Sequence, residues 1–130
     1  MALHRVVLLE GETTKTHFPG EAERLRVTLS SKGIGIVSEG GDGIIALPGG
    51  VPALDILLDR LAGNDRPCGL LNTANYYTDL LKTTADIVVD RFVRETQRGR
   101  LIVGRDPHAL VQAMAEYLPP ETRRQAAPIA

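Results

Sequence analysis

The segment GIIALPGGVPALDILLDRL, residues 43–61, constrains the fold more than any other part of the chain. An apolar run, a Pro-Gly-Gly turn and an amphipathic stretch follow one another without a polar spacer. Leu54, Leu57, Leu58 and Leu61 recur at i, i+3, i+4 and i+7, the period of a helix face turned toward a core. The preceding GIIAL is short and bounded by glycines, the pattern of a strand buried on both faces. Pro52 suits the first turn of a helix, where N–H groups lack partners in any case. A strand that passes directly into a core-facing helix belongs to a parallel α/β architecture.

The same alternation runs along the rest of the chain. Residues 6–9 read as a first buried strand, and residues 10–19 as a polar loop. A helix is predicted from Gly20 to Lys32, with Ala22, Leu25 and Leu29 on one face and Gly33 as its stop. IGIVSEGG, GIIALPGG, PCGLLN and RLIVG are the second to fifth strands. The helix after the third strand should end at Gly63 and Asn64. Tyr77, Leu80, Leu81, Val88 and Phe92 mark one long helical segment, and Ile87, Val89 and Val93 widen its apolar face, so that cover is expected on two sides. Asp106 caps and Pro107 opens a last helix, with Leu110, Ala113, Met114 and Tyr117 as its buried stripe and Pro119 and Pro120 as its end. The expectation is a Rossmann-like α/β fold of about five parallel strands with helices on both faces. One domain spans residues 1–118, and residues 119–130 form a flexible tail. Ligands of such sheets bind at the carboxyl ends of the strands, near the switch point. Three loops are expected there: 10–19, 39–43 and 48–53.

Composition excludes several classes. A net charge of −1 gives no global attraction to nucleic acid or anionic lipid. The basic residues Arg91, Arg94, Arg98, Arg100 and Arg105 lack interleaved aromatics for base stacking and read as a solvated helix end. Cys68 stands alone and gives neither a disulfide framework nor a metal cluster; it reads as a small buried hydrophobe. His4, His17 and His108 have no ligand spacing, so no metal is expected, and no cofactor is implied. The N-terminus lacks the pattern of a signal peptide, and no apolar run approaches the roughly 20 residues that span a bilayer. The expected location is cytoplasmic.

Three segments carry a resemblance to a known family. EAERLRVTLSSKGIGIVSEGG resembles the first helix, second strand and glycine loop of the Lonely Guy family, the cytokinin-activating phosphoribohydrolases once labelled lysine decarboxylases. IIALPGGVPALDILLDRLAGNDRPCGLLNTANYYTDLL is similar to the family's PGGxGTxxE region and the strand after it, and RLIVGRDPHALVQAM to its final strand and helix. The resemblance implies N-glycosidic cleavage of a nucleoside 5′-monophosphate. It also implies a phosphate or nucleotide site at Gly40, Gly41, Gly49, Gly50, Val51 and Ala53, with Thr13 and Thr14 in the first loop, and a dimer interface close to Ile56.

The departures bear on chemistry. The strand–helix region after the family's glycine loop, which carries a catalytic arginine, is missing here. Pro48, Gly49 and Gly50 are kept, but Pro52, Ala53 and Ile56 stand where the family has glycine, threonine and the catalytic glutamate. Isoleucine can neither stabilise a developing positive charge nor activate water. Asp55 is the nearest carboxylate, but one residue along a helix is a turn of about 100°. Asp59 at i+4 makes a solvated acidic face the plainer account of both. Pro52 removes one anion-binding N–H; Gly49, Gly50, Val51 and Ala53 keep theirs. Glu10 and Glu12 would repel a phosphate, and Asn72, Tyr76 and Tyr77 read as packing groups. Three functions follow as expectations. The first is a nucleotide-binding domain impaired in catalysis; the second is an active phosphoribohydrolase completed by another subunit or by Asp55; the third is an interaction subunit. The expected partners are a nucleoside monophosphate or phosphosugar, and a second copy or a related subunit, with no membrane and no nucleic acid.

Overall fold

The computed structural model describes residues 3–61 and 66–117. Strand β1 (Arg5–Leu9) leads through α1 (Glu12–His17) and α2 (Pro19–Ser31) to β2 (Gly35–Val37). β3 (Gly43–Ala46) passes into α3 (Gly50–Leu61), and β4 (Cys68–Leu71) follows. A single 3₁₀ turn (Thr73–Asn75), α4 (Tyr76–Leu81) and α5 (Asp86–Gln97) then lead to β5 (Leu101–Gly104) and α6 (Pro107–Ala115). All strand pairs are parallel, in the order β2-β1-β3-β4-β5. The expected Rossmann-like α/β sheet is present.

Alternation along the strands feeds two cores. Ile45 and Leu47 join Val6, Leu25, Leu29, Leu110 and Met114 on the face covered by α2 and α6. Ile44 and Ala46 join Leu54, Leu57, Leu58, Leu61, Leu70 and Tyr77 on the face covered by α3. Both faces of the sheet are covered, so β3 and β4 are buried at every residue. Each fully buried leucine contributes about 1.5–3 kcal/mol of transfer free energy.

Some elements differ from the sequence expectation. Residues 10–19 are not a simple polar loop, because α1 forms within them. Gly11 N donates to Thr14 Oγ1 at 3.1 Å, and Thr14 is fully buried. The expected long helix is divided into α4 and α5. Thr83 and Thr84 hydroxyls bond back to Leu80 O at 3.0 and 2.8 Å, local bonds that compete with helix continuation. The second side of α5 is not covered among the described residues, with Ile87 74% and Val93 44% exposed. In α6 the buried stripe is Leu110, Val111 and Met114; Ala113 is exposed. α2 begins at Pro19 and ends at Ser31, with Gly33 beyond it at φ +73° as a left-handed stop. The expected stops at Gly63, Asn64, Pro119 and Pro120, and the tail, lie outside the described residues.

The link from β2 to β3 needs a separate account. The two strands flank β1 and run parallel to it, and such connections ordinarily take a dozen residues or more. Here only residues 38–42 carry the chain across. They do so at the amino end of β1, with Gly40 at φ +77° and Gly41 at φ +78°. Asp42 N donates to Arg5 O at 2.7 Å, while the Asp42 carboxylate accepts from His4 N at 2.9 Å and Arg5 N at 3.0 Å. Those two backbone hydrogen bonds hold the Asp42 carboxyl below the ordinary aspartate value.

Candidate functional site

β1 and β3 are neighbours, but their following connections leave in opposite directions: α2 covers one face of the sheet and α3 the other. The crevice at their carboxyl ends is the switch point. Residues 10–14 from β1 and residues 47–51 from β3 meet there. Their approach is so close that a Cβ on Gly11 would lie 2.2 Å from Gly49 O, and one on Gly49 would lie 2.8 Å from Gly11 N. Glycine is required at both positions because backbone faces backbone.

The turn into α3 is held from two sides. Thr14 Oγ1 donates to Pro48 O at 2.9 Å. The Tyr77 hydroxyl donates to Leu47 O and accepts from Gly49 N at 3.4 Å. Tyr77 is fully buried, and burial pushes its phenol well above the ordinary tyrosine value, so it stays protonated. Asn72 orders the start of α4 by accepting Tyr77 N at 2.8 Å and donating to Thr78 Oγ1 at 3.0 Å. Gly50, at φ +85°, turns the chain into the helix. A Cβ there would sit 3.8 Å from the Tyr76 hydroxyl and 3.9 Å from Thr13 Oγ1. Tyr76 is fixed edge-on between Phe18 and Tyr77, at centroid distances of 5.5 and 5.0 Å.

Gly49, Gly50, Val51, Thr13 and Thr14 are thus brought together. Gly50 and Val51 are the first residues of α3, where N–H groups have no partner within the helix. Ala53 is buried at 3% exposure, and Pro52 has no N–H to offer. Gly40 and Gly41 are not part of this cluster. They lie with the short link at the amino end of β1, so loop 39–43 does not join the other two loops. The physical reason is the short connection, since with only residues 38–42 between β2 and β3 the glycine segment must return the chain directly to β3.

Asp55 and Ile56 are both on the exposed face of α3, and Ile56 is 44% exposed. Asp59, on the Asp55 side, lies 3.5 Å from Arg91 of α5. Glu10 is held by Arg26 through two contacts of 2.8 Å, and the pair borders a cleft of about 310 Å³ with Thr14, Lys15, Pro19 and Ala22. Cys68 is buried, and desolvation pushes its thiol up to about 11, which makes it unreactive. Among the described residues no cluster of His, Cys, Asp and Glu could hold a metal ion, and no helix is long and apolar enough to cross a membrane.

Residues 32–114 match the family described as "Possible lysine decarboxylase". The chain belongs to this family. It is 36% identical over 83 residues to a probable cytokinin riboside 5′-monophosphate phosphoribohydrolase of Oryza sativa subsp. japonica, covering 60% of this chain and 34% of that protein. It is 35% identical over 83 residues to a cytokinin riboside 5′-monophosphate phosphoribohydrolase of Arabidopsis thaliana, covering 60% of this chain and 39% of that one. The corresponding protein of Rhodococcoides fascians is 33% identical over 84 residues, at 61% and 42% coverage. The chain therefore spans well under half the length of these curated relatives. The Lonely Guy resemblance drawn from the motifs holds, and the match includes the altered turn at Pro52, Ala53 and Ile56.

The hydroxyl of Tyr77 is the site feature that sequence reasoning missed, having placed that residue among the packing groups. Its partners, Leu47 and Gly49, are 30 and 28 residues away, and no local pattern announces them. Thr14 carried one local signal, its place three residues after Gly11 at the start of a short helix.

Proposed function

We propose that this chain is a cytoplasmic nucleotide-binding domain on a phosphoribohydrolase scaffold, with little or no N-glycosidic cleavage of its own. The phosphoryl group of a nucleoside monophosphate or phosphosugar docks at the start of α3, on the open N–H groups of Gly50 and Val51 and the positive end of the helix dipole. The single observation that carries the reading is the exposed Ile56 on a helix whose Gly49–Gly50 turn is intact. Phosphate recognition needs backbone donors, which remain. Departure of the base leaves an oxocarbenium-like centre that calls for a carboxylate, and the position that would supply it is apolar. Asp55 lies one helical step away, on the face it shares with Asp59, and does not replace it.

Ile56 is a large apolar side chain left exposed on α3. It serves as the contact with a second copy or with a related subunit. The solution mass of Ile56→Glu against wild type tests this, and an unchanged oligomer counts against the contact. Incubation with AMP, followed by chromatography for free adenine, tests the loss of cleavage. Calorimetric titration with AMP and with ribose 5-phosphate tests binding. Heat of binding without adenine release is the expected pair of results.

A further inference from the structure

Leu47, Pro48 and Gly49 are buried where β3 passes into α3, and every backbone polar group buried there needs a partner. Leu47 N is satisfied by Leu9 O at 2.9 Å. Two hydroxyls meet three more of these groups from opposite sides. Thr14 reaches Pro48 O from α1, after β1, and Tyr77 reaches Leu47 O and Gly49 N from α4, after β4. Both side chains are at 0% exposure. Each donates once and accepts once, since Thr14 Oγ1 also takes Gly11 N at 3.1 Å. Packing alone would be served by valine and phenylalanine, which avoid the cost of burying a hydroxyl. The hydroxyls therefore do something that volume does not.

We propose that Tyr77 and Thr14 are the positioning residues of the anion-binding turn. They fix the backbone from Leu47 to Gly49, and Tyr77 takes the Gly49 N–H out of the site. The amides left open are those of Gly50 and Val51. The hydroxyls of Thr13 and Tyr76, which have no hydrogen-bond partner among the described residues, stand beside them at Gly50. The ligand class is a phosphate monoester whose oxygens accept from two amides and two hydroxyls. This inference rests on the binding function proposed above.

The test uses the full chain as wild type, Tyr77→Phe, Thr14→Val and Thr14→Ser, titrated calorimetrically with AMP. Tyr77→Phe and Thr14→Val should each weaken binding about tenfold, the effect of one positioned hydrogen bond, and Thr14→Ser should restore it to within about twofold. Amide hydrogen exchange supplies a readout independent of ligand. Gly49 N–H should lose protection in Tyr77→Phe while the amides of β4 keep theirs. If Tyr77→Phe fails to fold, the valine and serine variants at position 14 carry the test. Equal affinity of Thr14→Val and wild type, failure of serine to restore binding, or unchanged Gly49 exchange in a folded Tyr77→Phe overturns the positioning role alone. Absence of AMP binding by the wild-type chain overturns the binding function, and the positioning role with it.

Discussion

The two ends of the sheet each carry a pair of glycines, yet the backbone around them is built differently. At the carboxyl end, Gly49 and Gly50 open a helix, and the hydroxyls of Thr13 and Tyr76, without a hydrogen-bond partner among the described residues, stand next to its first turn. At the amino end, Gly40 and Gly41 open nothing. They turn the chain so that Asp42 can close the backbone of His4 and Arg5, and a hollow there is lined by His4, Arg5, Gly41 and Asp42. On the function proposed above, the glycines at the carboxyl end leave donors free after them, whereas those at the amino end solve a problem of chain direction.

Substitutions that separate the two ends sharpen the contrast. The largest effect is expected for Gly11→Ala, whose Cβ would fall 2.2 Å from Gly49 O, backbone against backbone. It should cost about 3 kcal/mol or more of unfolding free energy in urea titration and abolish AMP binding. Gly41→Ala places a Cβ 2.9 Å from Arg5 O at a φ of +78°. It should cost about 1–3 kcal/mol and leave the AMP affinity of the folded fraction unchanged. Loss of AMP binding there would break the distinction between the ends.

The pH dependence of the amino end follows from Asp42. Its folded value is lowered, so its contribution is present above the unfolded aspartate value and is lost as pH falls through the folded one. The denaturation midpoint of Asp42→Asn should therefore lie below that of wild type at pH 7. The two should converge once the pH is below the lowered value, and a gap that persists there would contradict the assignment. The smallest effect is expected at Asn75, which caps α4 at φ +60°. Asn75→Gly should stabilise by no more than about 1 kcal/mol, because glycine takes the left-handed region without cost from a Cβ.

The strands and the leucine helix were legible because buried strands and a core-facing helix impose periods that local sequence records. α1 was not, since Glu12–His17 has no apolar period and its place depends on burying Thr14 against the distant Pro48. The break between α4 and α5 was hidden because Thr83 and Thr84 are compatible with a helix until their hydroxyls turn back to Leu80. The PGG turn was visible as the kept part of a motif, and the apolar Ile56 as a departure from it. Which end of the sheet Gly40 and Gly41 occupy was not visible, because that is decided by the five-residue return across β1 rather than by the glycines themselves.

The most direct measurement is a single incubation of the purified chain with AMP, with bound nucleotide followed by calorimetry and free adenine by chromatography. The account predicts saturable binding with no adenine above the rate of a no-protein control. Sustained adenine release that scales with protein concentration would contradict it.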